Sequence, residues 1–589
     1  MTDNRTLTTS VNDRITAALQ ENELFQLSEI QASEIAKQGK WIELECGANL
    51  FEQGDPAEGF FLLMTGRMEA LLSEGNSKSR QVGTIRAGET IGEMGFISGK
   101  PRALTIRARR ACSLIRFDQG FLEKLPRETL FRFVNLLIQR HHDTLESFHR
   151  GEPQPDFIAL VPLTKECPSD LIADNLATHW PEGRSVRTVS SAILPRSAPF
   201  LSSGSTTKAM TTLVVVSLAD SSADRICEEA DRCLFIGEAA KSDGLEPRAL
   251  ELLERYGVSD KRPDLILLHK GPIGNSEALI KKRPFARFFH VRENTPADLN
   301  RLTRVLSGRA LGVTLGGGGV RGWAHIGAFK AILEAGYEVD AVGGTSAGAV
   351  LGSLWEISSS IEDLTQRFSR LLNIAGNQLA LRNFTYPTVS FLDGRSWTKA
   401  LKDGLGSWSI EDFTIPFHCV SCDIVAEKAI VHTQGEAWKW VRASTSLPGL
   451  FPPLADGEAL HVDGAVIDNL PVETMRQYLG RGSKILAVDL TDSIEPTAFY
   501  SPPSLKPLEA LTLERAARKQ GTTVPRLGDT FLRALTMGAQ ARSKANAELA
   551  DIYVKPMIGR CGLLLTDRGQ EILEAGYQAT KSALQKAGL

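Results

Sequence analysis

Long apolar runs are what this sequence of 589 residues most lacks: its purest aliphatic stretch, Leu213 to Val216, falls far short of the roughly twenty residues that span a bilayer. The opening segment, Met-Thr-Asp-Asn-Arg-Thr-Leu, also has no apolar core of the secretory kind. Any membrane contact is therefore expected to be peripheral. Cysteine is scarce, with eight residues irregularly spaced at 46, 112, 167, 227, 233, 419, 422 and 561. That excludes a secreted disulfide framework and predicts reduced thiols and a cytoplasmic location. Excess charge is lacking too, since 67 basic against 70 acidic residues leave a net charge of -3. Nothing here predicts a nucleic-acid partner. No internal repeat or low-complexity tract is found.

What is present is an ordinary globular composition, 42% hydrophobic and 23% charged, at a length that suggests roughly three or four domains. Between about Glu23 and Leu125, short strand-like runs are punctuated by glycine, as at Phe51-Glu-Gln-Gly54 and Phe60 to Gly66. This rhythm predicts a small β-roll, with Phe131 to Arg140 as a helix leaving it. Residues 151–307 alternate apolar strand candidates (213–218, 233–237, 265–268, 288–291) with helical stretches such as Pro247 to Tyr256. Alternation of this kind argues for a parallel, helix-covered sheet. The overall expectation is a multidomain α/β chain: a first domain at 1–150, an α/β linking domain at 151–307, a mainly parallel α/β domain at 308–495 and a helical extension at 496–589.

The chemistry concentrates in the third of these. Gly344-Thr-Ser346-Ala-Gly348 follows the buried run from Val339 and precedes the helical run Ala349 to Trp355. A serine on so sharp a turn needs glycine two residues before and after it, because the neighbouring chain must pass close by. Upstream, Leu311 to Leu315 runs into Gly316-Gly-Gly-Gly319-Val-Arg321-Gly322. A strand, a glycine loop and a helix start gather backbone N–H groups at one point, which an oxyanion requires. Gly317, Gly319 and Gly322 also satisfy Gly-x-Gly-x-x-Gly, with Asp340 about twenty residues on, so a dinucleotide site is a rival reading. For a base, His461 and Asp463 lie on one face of a strand ending at Gly464. Cys419 and Cys422 have a Cys-x-x-Cys spacing without a second pair, and His325 follows the glycine loop; packing is expected for both, and no metal site is foreseen.

Taken together, Gly316 to Gly322, Gly344 to Gly348, Ala443-Ser-Thr-Ser-Leu-Pro-Gly-Leu-Phe-Pro-Pro453 and Asp463-Gly-Ala465 resemble the patatin-like phospholipases, more closely the neuropathy target esterase type. The resemblance spans about residues 300 to 490. It implies a Ser346–Asp463 dyad without a histidine, leaving His461 as the runner-up base. It further implies an oxyanion hole from Gly317, Gly318, Gly319 and Arg321, and motif roles for Gly344, Gly348 and Gly464. The implied substrates are acyl esters of phospholipids or lysophospholipids, met at the inner face of a membrane, with no cofactor required. Ala465 stands where that family often has a second glycine.

The first domain resembles cyclic-nucleotide-binding domains through Gly88-Glu-Thr-Ile-Gly92-Glu93 and Pro101-Arg102-Ala103-Leu-Thr105. In that family the glutamate accepts from the ribose hydroxyl and the arginine pairs with the cyclic phosphate, for which a planar guanidinium is suited. The resemblance implies a nucleotide held by Gly92, Glu93, Arg102 and Ala103, with cAMP favoured over cGMP by Ala103. Ile91 and Leu104 depart from the family's usual Phe and Ala. The rival from another class is a cyclic-nucleotide sensor whose α/β domain is a non-catalytic interaction scaffold.

Overall fold

A computed structural model describes residues 11–21, 27–73 and 79–118, and most of 155–588. Outside it lie, among others, 119–154, 192–209, 258–262, 378–382, 492–503, 505–511 and 560–566. The helix expected at 131–140 falls outside the described residues.

The chain divides into two compact units, one of Met1–Lys270, Ala278–Ser307 and Gly480–Gly482, the other of Gly271–Glu277, Gly308–Leu479 and Ser483–Leu589. In the first unit the glycine-punctuated runs fold as two four-stranded antiparallel sheets, the expected β-roll. Glycines 54, 66 and 88 all sit at positive φ in its turns, a conformation costly for any other residue. The first unit also holds a six-stranded sheet, parallel throughout, in which the apolar runs at Arg232–Glu238, Asp264–His269 and Arg287–Arg292 lie side by side. Two of its strands, Phe157–Pro162 and Ser185–Ser190, were not singled out in the sequence. The second of these is polar and half-exposed, at the sheet edge, where no apolar run is needed.

The second unit is built on a mixed eight-stranded sheet. Parallel strands Phe417–Asp423, Ala341–Thr345, Leu311–Leu315, Lys484–Val488 and Ile552–Val554 run side by side. Ala459–Asp463 adds antiparallel to Phe417–Asp423, with Ser421 opposite Asp463. The three central strands are buried along their whole length, although Thr314, Thr345, His418, Ser421 and Asp423 interrupt their apolar residues. One difference concerns the tail, expected to be helical: Ile552–Val554 joins the sheet edge, a strand too short to leave a periodic signal. The last helix, Gly569–Lys586, packs on Trp323–Glu334 where Gly576 faces the backbone of Ala324 and Gly327 that of Leu573. A Cβ at either glycine would overlap the opposing chain.

Candidate active site

Strand Ala341–Thr345 ends at Ser346, and helix Ala347–Glu356 starts immediately after it. The turn forces Ser346 to φ 54 and ψ -116, a strained conformation for a non-glycine residue. It persists because the flanks are over-determined. A Cβ at Gly344 would lie 2.5 Å from the backbone of Gly348, and one at Gly348 would overlap the carbonyl of Leu315. Gly464 is likewise pressed against the backbone of Val420.

Strand Ala459–Asp463 delivers Asp463 to the same point: Ser346 Oγ donates to Asp463 Oδ2 at 2.8 Å. The other carboxylate oxygen accepts from the N–H of Ala465 at 2.9 Å. Burial raises the Asp463 pKa from 3.8 to about 7, against the lowering influence of the hydrogen bonds from Ala465 and Ser346. A carboxyl group poised there exchanges its proton near neutrality, as a general base must.

The glycine loop passes beside the serine, and a Cβ at Gly317 would come within 3.0 Å of the Ser346 Cβ. Here the geometry differs from the sequence expectation. The Gly317 N–H is directed to the Asn469 carbonyl at 3.3 Å, while the Asn469 side chain donates to the Gly317 carbonyl at 3.4 Å. Gly318 and Gly319, entering the short 3-10 turn Gly319–Gly322, have N–H groups with no acceptor among the described residues. The Arg321 guanidinium donates to the Leu490 carbonyl at 2.8 Å, so it braces the loop from behind.

The other singled-out residues are engaged elsewhere. His461 Nδ1 is 2.9 Å from Ser421 Oγ, which also meets His432 Nε2 at 2.7 Å. Burial holds the His461 ring below its ordinary pKa. His325 Nε2 is 2.8 Å from the Gly316 carbonyl and its pKa falls to about 4 through burial, so a neutral ring supports the loop. Asp340 Oδ2 accepts the Leu311 N–H at 2.9 Å. That buried contact consumes the carboxylate which a dinucleotide ribose would need. Cys419 and Cys422 are buried and free, and no cluster of metal-ligating residues occurs among the described residues. Sequence reasoning gave no role to Arg442, Ser444, Ser446 or Asn469; all touch the site or its supports, and only tertiary contacts reveal it.

Comparison with known proteins bears on the region that holds this site and on the roll. Residues 313–476 match the family model of patatin-like phospholipases and residues 41–129 that of the cyclic nucleotide-binding domain. The chain carries a patatin-like phospholipase domain. It is 26% identical to the neuropathy target esterase sws of Drosophila melanogaster over 93% of this chain and 43% of that relative. It is 26% identical to lysophospholipase nte1 of Emericella nidulans over 93% of this chain and 42% of that protein. The chain thus spans less than half the length of these curated relatives. Among solved structures, a cyclic nucleotide-binding domain from Methylobacillus flagellatus is 22% identical, covering 23% of this chain and 80% of that one, with a TM-score of 0.21. The patatin-like domain and the nucleotide-binding domain stand in the order expected from the sequence.

In the nucleotide-binding domain, the four singled-out residues lie around helix Glu93–Ser98. Gly92 caps it at φ 78, and Arg102 donates from its two outer nitrogens to the carbonyls of Gly92 and Gly59, each at 2.6 Å. The guanidinium lies 4.1 Å from the centre of the Phe51 ring, a cation–π contact. Burial draws its pKa below the ordinary value, opposed by the nearby Glu93 carboxylate. Ala103 is exposed.

Proposed function

We propose that this protein is a serine esterase that hydrolyses fatty-acyl ester bonds of lysophospholipids or phospholipids at a membrane surface, under the influence of a cyclic nucleotide. The observation that carries this reading is the 2.8 Å hydrogen bond from Ser346 Oγ to the buried Asp463 carboxylate on a strained, glycine-flanked turn.

In this reading Asp463, once ionised, takes the Ser346 proton as Oγ attacks the ester carbonyl. Charge developing on the carbonyl oxygen is met by the N–H groups of Gly318 and Gly319. Each such donor is worth roughly 3 to 4 kcal/mol to the transition state. Collapse expels the alcohol, which receives the proton from Asp463 and leaves the acyl group on Ser346. Water activated by Asp463 then releases the fatty acid and restores the serine. Peripheral contact with lipid is supported by the segment 383–392, which carries no charge and exposes Phe384, Tyr386, Val389 and Phe391. No described helix is long and apolar enough to cross a membrane. We further propose a cytoplasmic location, in keeping with cysteines that are few and irregularly spaced.

Nucleotide regulation rests on Arg102, whose outer N–H groups are held by backbone carbonyls. A cyclic phosphate would displace those contacts and gain charge-assisted bonds instead. One panel tests both domains: turnover of lysophosphatidylcholine, phosphatidylcholine and a short-chain nitrophenyl ester, with and without cAMP, by wild type, Ser346→Ala and Arg102→Ala. Ser346→Ala is expected to lose turnover by a factor of about 1,000 or more. Equal turnover in that variant would end the esterase reading. A cAMP response that persists unchanged in Arg102→Ala would end the phosphate-pairing assignment.

A further inference from the structure

Both halves of the Ser346–Asp463 pair hang from one short stretch of chain. Ser444 ends helix Ala437–Ser444, is fully buried, and accepts the Ser346 N–H on its Oγ at 2.9 Å. The same hydroxyl donates to the Val420 carbonyl at 2.6 Å. Two residues on, the Ser446 carbonyl accepts the Asp463 N–H at 2.9 Å. The nucleophile and the acid lie 117 positions apart in sequence, on different strands, so their spacing is not a local property.

What fixes the stretch is Arg442, only 5% exposed. Its guanidinium donates to Ser446 Oγ, to Thr398 Oγ1 at 3.1 Å and to the Pro452 carbonyl at 3.2 Å, and lies 5.5 Å from the centre of the Phe451 ring. Every acceptor is neutral. Among the described residues no carboxylate comes within ion-pair reach, and burial draws the Arg442 pKa down to about 10. A buried cation without a counter-ion is costly, and an apolar side chain would pack there at lower cost. What arginine alone supplies is a rigid fork of donors pointing in several fixed directions. Here the fork joins helix Arg395–Leu405 through Thr398, the turn at Ser446 and the loop at Pro452.

We propose that Arg442 and Ser444 are positioning residues that set the separation of Ser346 and Asp463, Ser444 by holding the serine backbone and Arg442 by locking the turn that holds the aspartate. The kinetic consequence rests on the esterase reading above; the geometric one does not. Ser444→Ala, Arg442→Gln and Arg442→Lys are to be assayed on a soluble nitrophenyl ester, with active sites counted by fluorophosphonate titration. Expected is a fall in kcat per titrated site of roughly tenfold or more, with KM within about twofold of wild type. The acid limb of the kcat/KM profile moves with it. Crystals of Ser444→Ala are expected to show the Ser346 Oγ to Asp463 Oδ2 distance opened beyond hydrogen-bond reach. Variants that lose only thermal stability, at full kcat per site and with an unmoved pH profile, would overturn the proposal; so would an unchanged separation. Full recovery by Arg442→Lys would assign the effect to charge alone and overturn the part given to the fork. If wild type turned over no ester, the esterase reading would fail, while the crystal distance would still judge the brace.

Discussion

At the scale of single residues, Asp463 holds two opposed demands. Its buried carboxyl has a pKa near 7 where the unfolded chain has 3.8. Catalysis needs the ionised form, so kcat/KM on a soluble ester is expected to rise with pH through an acid limb near 7. Stability runs the other way. Between pH 3.8 and about 7 the folded state retains a proton that the unfolded chain has released, so stability falls as pH rises through that window. Asp463→Asn removes the charge at similar size. It is expected to abolish turnover yet raise Tm by several degrees at pH 8, and to leave Tm nearly unchanged near pH 4. A melting curve at each pH checks this, and a lower Tm for the variant at pH 8 would contradict the burial argument. Ser346 was legible in the sequence because a strained turn restricts what flanks it, whereas Asp463 and His461 stood level there and only the family resemblance favoured the aspartate. Asn469 and Ser444 were not legible, because they act on backbone groups that any sequence possesses.

At the scale of elements, the segment Asn383 to Leu392 is a hairpin whose ends are fixed and which exposes Phe384, Tyr386, Val389 and Phe391 while Asn383, Ser390 and Leu392 are buried. Thr385 N–H reaches the Phe391 carbonyl at 3.0 Å, and Phe391 and Leu392 donate to the carbonyls of Gly449 and Leu450 at 2.8 and 3.0 Å. Leu392 is in the core, yet Tyr386 is 87% and Val389 65% exposed. The hairpin is thus bonded to the same loop that Arg442 ties down at Pro452. Tyr386→Asp combined with Val389→Asp is expected to lower turnover of phosphatidylcholine vesicles about tenfold or more, since charge resists entry into an apolar interface. Turnover of a soluble ester should stay within about twofold of wild type. Equal losses on both substrates would argue against a lipid-facing role. Nothing adjacent in the sequence marks these side chains as exposed, because composition alone does not say which face of a loop meets solvent.

At the scale of whole units, the β-roll and the parallel sheet of the first unit are joined by a buried cluster. Asp231 pairs with Arg67 at 2.6 Å and with Arg110 at 3.0 Å, and accepts the Phe157 N–H at 2.9 Å. Arg110 also donates to the Glu229 carbonyl at 2.6 Å and lies 5.5 Å from the centre of the Phe157 ring. Asp231→Ala would strand the positive charges it neutralises. A loss of about 3 to 5 kcal/mol is expected, read as a lower urea midpoint. A midpoint unchanged within error would show that Arg67 and Arg110 are satisfied without the carboxylate.

By itself the sequence determined the local matters: the glycine rhythm of the roll, the alternation behind the six-stranded parallel sheet and the elbow at Ser346. These are short-range consequences of backbone sterics and of which faces are buried, and they are written in adjacent residues. Only the tertiary structure decided which glycine N–H groups stay open and that Asp340 and His461 are spent on Leu311 and Ser421. It also decided that one arginine without a carboxylate partner locks the turn beneath the acid. Those outcomes depend on which carbonyls and hydroxyls meet across strands that are distant in sequence. Pairing of backbone groups leaves no mark on side-chain identity, and so it is decided only when the sheet has closed.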